Sequence, residues 1–346
     1  MNKRYLSSLL ILSCLAFSTL QSCKKESALG VDNDKVVKTP YSLYAADNDG
    51  ALISSTDGEN YVNVFPPDGY ATKLILTAGP NLMFLKENLH LSENNGQSFN
   101  PCFTKVKTFP WQSMAYYFRN HNRAYITASM GKGIAYSDDN GKTWKEDEAW
   151  PSNTPPSFEV SSFTGLTSTS TLFCFSNKNN ILFQKTSADA SWEPVTAEGF
   201  FPVNGTQFYL VSNSNTLFLV DYTGKGGVWY SENSGAHWYR LEQGALPYNV
   251  KYNCALSPDG ARSLVVGTDA GAYRVDDNSF VTANGGFEIN TSVYSISLKS
   301  NTYKNDAVKH FVFIGTNHGI FRSEDRGRTW DKMTYADLNK KYTAIY

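Results

Sequence analysis

The stretch Ser137-Asp138-Asp139-Asn140-Gly141-Lys142-Thr143-Trp144 decides the fold because it recurs. Near copies are SENSGAHW (Ser231 to Trp238), SEDRGRTW (Ser323 to Trp330) and SENNGQSF (Ser92 to Phe99), with a looser SSTDGENY (Ser54 to Tyr61). Each residue type has a job in a hairpin turn. Gly58, Gly96, Gly141, Gly235 and Gly327 fall where a tight turn wants positive φ, which costs least without a Cβ. Asp139 and Asp325, with Asn94 and Asn233, carry short acceptors within reach of the backbone N–H groups of the same turn. Tyr61, Phe99, Trp144, Trp238 and Trp330 then anchor the turn by burying a ring. A ligand role for the acidic residues is the sharper alternative, but the turn alone accounts for every residue type.

The box serines at 54, 92, 137, 231 and 323 are 38, 45, 94 and 92 residues apart, so the last two gaps are each about double the others. Hidden copies are therefore expected near 184 and 277. Gln184 to Trp192 keeps the closing aromatic in SADASW, and Val275-Asp276-Asp277-Asn278-Ser279-Phe280 keeps a shortened turn. An apolar strand leads into every copy, from Gly50-Ala51-Leu52-Ile53 to Gly319-Ile320-Phe321-Arg322. Others precede it, such as Leu217-Phe218-Leu219-Val220 and Phe208-Tyr209-Leu210-Val211. Seven units of about 45 residues, each with four strands, fit a propeller blade. The expected fold is all-β, a seven-bladed β-propeller of four-stranded antiparallel blades over residues 41–346. A parallel solenoid is the alternative, with shorter rungs and a cap at each end. The first unit starts at its second strand, Ser42-Leu43-Tyr44-Ala45, and lacks an inner one. The C-terminal stretch Lys341-Tyr342-Thr343-Ala344-Ile345-Tyr346 is predicted to supply it and so leave no sheet edge open.

Composition narrows the function. Lys and Arg number 31 against 32 Asp and Glu with no basic run, so nucleic acid is excluded as a partner. There is no Cys-x-x-Cys, no histidine cluster, no Gly-rich phosphate loop and no Gly-x-Ser-x-Gly elbow. No metal and no cofactor are expected. Cys102, Cys174 and Cys254 are read as buried thiols.

The recurring turn resembles the Asp-box, or BNR repeat, Ser-x-Asp-x-Gly-x-Thr-Trp. That resemblance implies boxes joining third and fourth strands on one rim, with Asp139, Gly141, Trp144, Gly235, Trp238, Asp325, Gly327 and Trp330 as structural residues. It also implies ligands on the opposite face. Loops between second and third strands would place Asp49, Glu87, Lys225 and His318 there, and the links between blades would add Trp111, Trp150, Phe201 and Tyr248. These rings are candidates for stacking on sugars, the alternative being that they pack between blades. Related propellers include sialidases, but no Arg-Ile-Pro and no three-arginine clamp occur here. Xyloglucanase propellers use an acid pair, for which Asp49 and Glu87 on adjacent blades are the candidates. The photosystem assembly factor and the sortilin ectodomain are similar in box spacing and act as scaffolds. A platform for a glycan or protein ligand is therefore the leading expectation, and a glycoside hydrolase the alternative.

Lys3 and Arg4 precede a 16-residue, mostly apolar run that meets Leu20-Gln21-Ser22-Cys23. The run is shorter than the roughly 20 residues of a spanning helix. It resembles a bacterial lipoprotein signal peptide with its lipobox. The resemblance implies a leader at 1–22, lipid on Cys23 and a polar tether through residue 40. Lys24-Lys25-Glu26 is similar to surface-export signals of Bacteroidetes lipoproteins. The expected place is the bacterial cell envelope, lipid-anchored at the outer membrane on its periplasmic or surface side, as a monomer.

Overall fold

The computed structural model describes residues 36–107, 115–118, 123–202, 205–258, 262–333 and 340–346, with the backbone alone for 115–118. The expected leader, Cys23, the tether through residue 35 and Trp111 lie outside the described residues. The described strands form six four-stranded antiparallel sheets and one of five. The chain divides into two compact units, one of 41–300 with 310–346, the other of residues up to 40 with 301–309.

In the larger unit the blades follow one another along the chain, with blade two at 74–103, three at 115–146, four at 162–195, five at 208–240 and six at 252–282. Blade seven starts in Val293–Tyr303 and ends in Asp331–Lys332. Blade one is ordered Tyr342–Ile345, Leu43–Asp47, Leu52–Ser55, Tyr61–Phe65, so the C-terminal strand completes it from the inside. Its register pairs Ala45 with Ile345 and Ala46 with Ala344, while Tyr44 and Tyr346 exchange backbone hydrogen bonds of 2.6 and 2.8 Å.

Seven apolar clusters fill the seven gaps between neighbouring blades. Tyr209 and Phe218 meet Tyr252 and Val266 between blades five and six. Leu43 and Ile53 meet Phe313 and Ile320 between blades one and seven, with Tyr342 and Ile345 among them. That contact closes the ring and excludes an open solenoid. Because each sheet is covered on both faces, Thr171–Ser176 and Leu217–Asp221 are buried at every residue. This is why the middle strands read as continuous apolar runs, not as alternation.

Each intact box is stapled through its serine. The backbone N–H groups of Gly96, Gly141, Gly235 and Gly327 donate to the hydroxyls of Ser92, Ser137, Ser231 and Ser323 at 2.7 to 2.9 Å. The five box glycines have φ between 75° and 88°, which explains their identity. Asp139 takes the Ser137 hydroxyl on one oxygen at 2.8 Å and the Thr143 hydroxyl on the other at 2.6 Å, and Asp325 repeats the pattern with Ser323 and Thr329. In blade one the serine is Ser55 and not Ser54. Its hydroxyl receives Gly58 N–H at 2.7 Å, so this box is one residue shorter.

The box also reaches backwards. The backbone N–H groups of Trp192, Trp238, Phe280 and Trp330 donate to the carbonyls of Ala149, Glu198, Glu242 and Gly285 in the link leaving the preceding blade, at 2.8 to 3.3 Å. Gly199, Gly244 and Gly286 follow these contacts at positive φ, and a Cβ at each would overlap the carbonyl oxygen of Trp238, Phe280 or Trp330.

In the smaller unit, Val37–Thr39 pairs antiparallel with Thr302 and Tyr303, and Lys38 binds Asp306 at 2.6 Å. The end of the stretch read as tether is therefore a strand.

Two outcomes follow from the ring and its staples. Deleting residues 342–346 removes the inner strand of blade one, so hydrogen exchange should show the amides of Leu43–Asp47 losing protection while those of blade four keep theirs; unchanged protection in blade one would refute the clasp. Burial works against ionisation of Asp57, but bonds from Asn60, Glu59 and Ser55 outweigh it and hold the carboxyl at about 2, below the ordinary 3.8. Asp139 and Asp325 are held low in the same way, by Thr143 and Ser137 and by Thr329 and Ser323. A depressed folded value means stability that is present above the unfolded value and lost as pH falls through the folded one. Urea midpoints of Asp57→Asn should therefore depend less steeply on pH than those of the parent between about 4 and about 2; parallel slopes would refute it.

Candidate functional site

In a four-stranded antiparallel blade, the turns joining strands one to two and three to four share a rim. The turns joining two to three share the other, to which each link carries the chain for the next inner strand. Asp49, Glu87, Lys225 and His318 therefore lie on the rim opposite the boxes, and Trp150, Phe201 and Tyr248 lie on the links that lead to it.

This second rim has a staple of its own that the sequence did not reveal. Asp47 and Asp221 close their second strands and are almost wholly buried, at 2% and 0% exposure. Asp47 accepts the N–H groups of Asp49 and Ala51 at 3.0 and 2.9 Å, and Lys340 at 2.8 Å. Asp221 accepts the N–H groups of Thr223, Lys225 and Gly226. Thr268 and Thr316 cap the equivalent turns of blades six and seven through their hydroxyls. Asp47 and Asp221 are therefore turn caps.

Asp49 and Glu87 are both exposed, and among the described residues no hydrogen bond joins them. The gap between their blades holds Lys86 instead. Its ammonium is buried at 4.8 and 5.3 Å from the rings of Phe65 and Phe84 and binds Asp68 at 2.6 Å. Among the described residues, Asp57, Asp68, Asp139, Glu288 and Asp325 are the carboxylates displaced from ordinary titration, and all move downward. A protonated general acid needs the opposite displacement.

The candidate rings separate into two kinds. Trp150 packs inside the wall between blades three and four, stacked on Trp192 at 5.0 Å with Phe158 and Phe183 at its edges, and its indole N–H donates to the Asp147 carbonyl at 2.7 Å. The ring is spent on packing. Phe65 and Phe200 are likewise enclosed by aromatic neighbours. Phe201 is 76% exposed and Tyr248 59%, joined by Tyr70 at 59% and Ile289 at 88%. These four occupy four different links. Tyr70 and Ile289 escaped the sequence reading because neither precedes a proline; a large apolar residue among turn formers, as in Pro67-Asp68-Gly69-Tyr70, was the available signal.

Lys225 projects from the exposed turn of blade five. His318 is half-buried, its Nδ1 at 3.4 Å from Glu288 and its Nε2 at 3.2 Å from the Asn317 amide. The hydrogen bond from Lys332 holds the Glu288 carboxyl below the usual range.

Behind Trp150, the box of blade four has lost its Asp and Gly. Leu172 faces Lys185 as Leu217 faces Ser231, so a lysine stands in the place of the box serine. Lys185 and Asp147 form an ion pair at 3.1 Å with side chains 2% and 4% exposed, and the Trp192 indole donates to the same carboxylate at 3.0 Å. Asp147→Ala leaves a buried ammonium uncompensated and should cost about 3–5 kcal/mol in chemical denaturation, whereas Asp147→Leu combined with Lys185→Met should recover most of it. A cost below about 1 kcal/mol for the single change would contradict this account.

The BNR/Asp-box repeat profile matches residues 135–146, the box of blade three and its flanks. The extracellular domain assigned to a one-component system of B. thetaiotaomicron is 13% identical, with 83% of this chain and 37% of that chain covered at a TM-score of 0.55. This chain thus spans little more than a third of that structure. YCF48 from Cyanidioschyzon merolae is similar at 12% identity over 79% of this chain and 95% of that one, TM-score 0.46. An ancestral GH74 enzyme is similar at 15% over 87% and 40%, TM-score 0.48. No curated protein matches the sequence at a significant level. Boxes, sheets and likeness agree that the chain is a seven-bladed β-propeller that carries a BNR/Asp-box repeat.

Proposed function

We propose that this protein is a lipid-anchored binding platform of the bacterial cell envelope that holds a glycan or a protein on the face opposite its boxes. One observation carries the reading: Tyr70, Phe201, Tyr248 and Ile289, one on each of four links, are large apolar side chains left in solvent on that face. Exposed apolar surface costs free energy, and repeated exposure on one face of a rigid ring marks a surface that a ligand covers. The blades fix the links in place, so little ordering is lost on binding. Phe201 and Tyr248 flank blade five, whose turn carries Lys225, which gives a ring-and-cation surface suited to a sugar face or a protein segment. The anchor rests on the lipobox at Cys23.

Hydrolysis by Asp49 and Glu87 draws less support, because both side chains are exposed and among the described residues no hydrogen bond joins them. A glycan array with a reducing-sugar assay separates the readings. The protein should retain a glycan without releasing sugar, and Phe201→Ala with Tyr248→Ala should weaken retention about tenfold, near 1.4 kcal/mol. Release of sugar, or retention indifferent to the double substitution, would overturn the platform.

A further inference from the structure

Blade six breaks the box pattern in a way that opens the box rim. Its strands Gly271–Asp276 and Ser279–Thr282 are joined by Asp277 and Asn278 alone, at φ of 47° and 73°, where blades five and seven carry full boxes. Two residues with positive φ make the tightest hairpin available. The missing length leaves a notch between the flanking boxes, a cavity of about 680 Å3. Glu232 of box five borders it on one side and Arg326 and Arg328 of box seven on the other, with Arg262 and Arg274 in its lining.

The side chains here are arranged by the same logic as a box. Val265 faces Arg274 as Leu217 faces Ser231, so Arg274 takes the place of the box serine. It binds Asp276 two residues on at 2.9 Å, as Ser231 binds Asn233. Arg262 lies 5.0 Å over the Tyr230 ring and binds Glu232 at 3.1 Å. These two guanidinium groups are neutralised and aimed. Arg328 and Asp277 are different: both are exposed, and among the described residues neither side chain has a hydrogen bond or ion pair. One wall thus offers a donor fork and the turn offers a bare acceptor.

We infer that this notch binds an acidic saccharide, whose carboxylate or sulfate pairs with Arg328 while a neighbouring hydroxyl donates to Asp277. A planar guanidinium takes an oxyanion bidentately. A simple inorganic anion satisfies only Arg328 and brings no donor to Asp277. A neutral sugar satisfies only Asp277. A sugar acid satisfies both, and its remaining hydroxyls find Asn278 and Ser263, which also line the notch. The cavity is of the size that encloses small ligands.

Calorimetric titration of the purified protein with trigalacturonate, a glucuronate-containing disaccharide, a sulfated disaccharide, maltotriose, sodium sulfate and glycine tests this. At least one acidic saccharide binds, with affinity falling as salt rises. Arg328→Ala and Asp277→Gly each weaken it about tenfold, whereas Phe201→Ala with Tyr248→Ala does not, which separates this site from the opposite face. Arg328 is solvent-exposed, and glycine accepts the positive φ of position 277, so both variants keep the turn. Three results overturn the inference: no acidic saccharide binds, maltotriose binds equally well, or sulfate or glycine displaces the saccharide at equal concentration. Binding unchanged by Arg328→Ala overturns it as well.

Discussion

A sheet with two apolar faces cannot stand alone in water, and every other feature of this protein answers that constraint. The strands of each blade are too apolar on both sides to be half-solvated, so each blade needs a neighbour on either hand, and only a closed ring supplies one to all seven. Closure falls to Tyr342–Ile345, which places Tyr342 and Ile345 in the gap between blades one and seven and Ala344 in the gap between blades one and two. Topology here is an energetic requirement: an open arc would leave two apolar walls in solvent.

The boxes work inside that constraint as spacers. A box holds its own turn through serine, acid and glycine, and in blades four to seven the backbone N–H of the closing aromatic also grips the link from the blade before it. The grip brings backbone against backbone, and Gly199, Gly244 and Gly286 are the points where no side chain fits. Turn and interface are thus specified by one short motif.

Where the motif decays, its place is filled in two contrasting ways. In blade four the box serine becomes Lys185, which is buried with Asp147 and Trp192 and serves the wall. In blade six it becomes Arg274, which pairs with Asp276 at a surface recess. The difference lies in what surrounds the cation. Blade four retains a long turn and its tryptophan, which seal the lysine in; blade six loses the turn, and its arginine borders open space. One face of the ring then carries exposed apolar residues on its links and the other a polar notch, on a scaffold that treats both rims as capped turns.

The sequence alone determined the repeat, its count and the strand that closes it, because those depend on residue types at fixed separations and on apolar runs that any observer can align. Ser92, Ser137, Ser231 and Ser323 fall where they must for a hydroxyl to meet an N–H four residues on. Tertiary structure alone decided which side chains are spent and which are free. Trp150 and Phe201 precede proline alike, yet one is walled in by Trp192 and the other faces water. Asp47 and Asp49 lie two residues apart, yet one caps a turn and the other is exposed. Burial is a property of neighbours brought from distant blades, and no local pattern encodes which of two like residues will meet them.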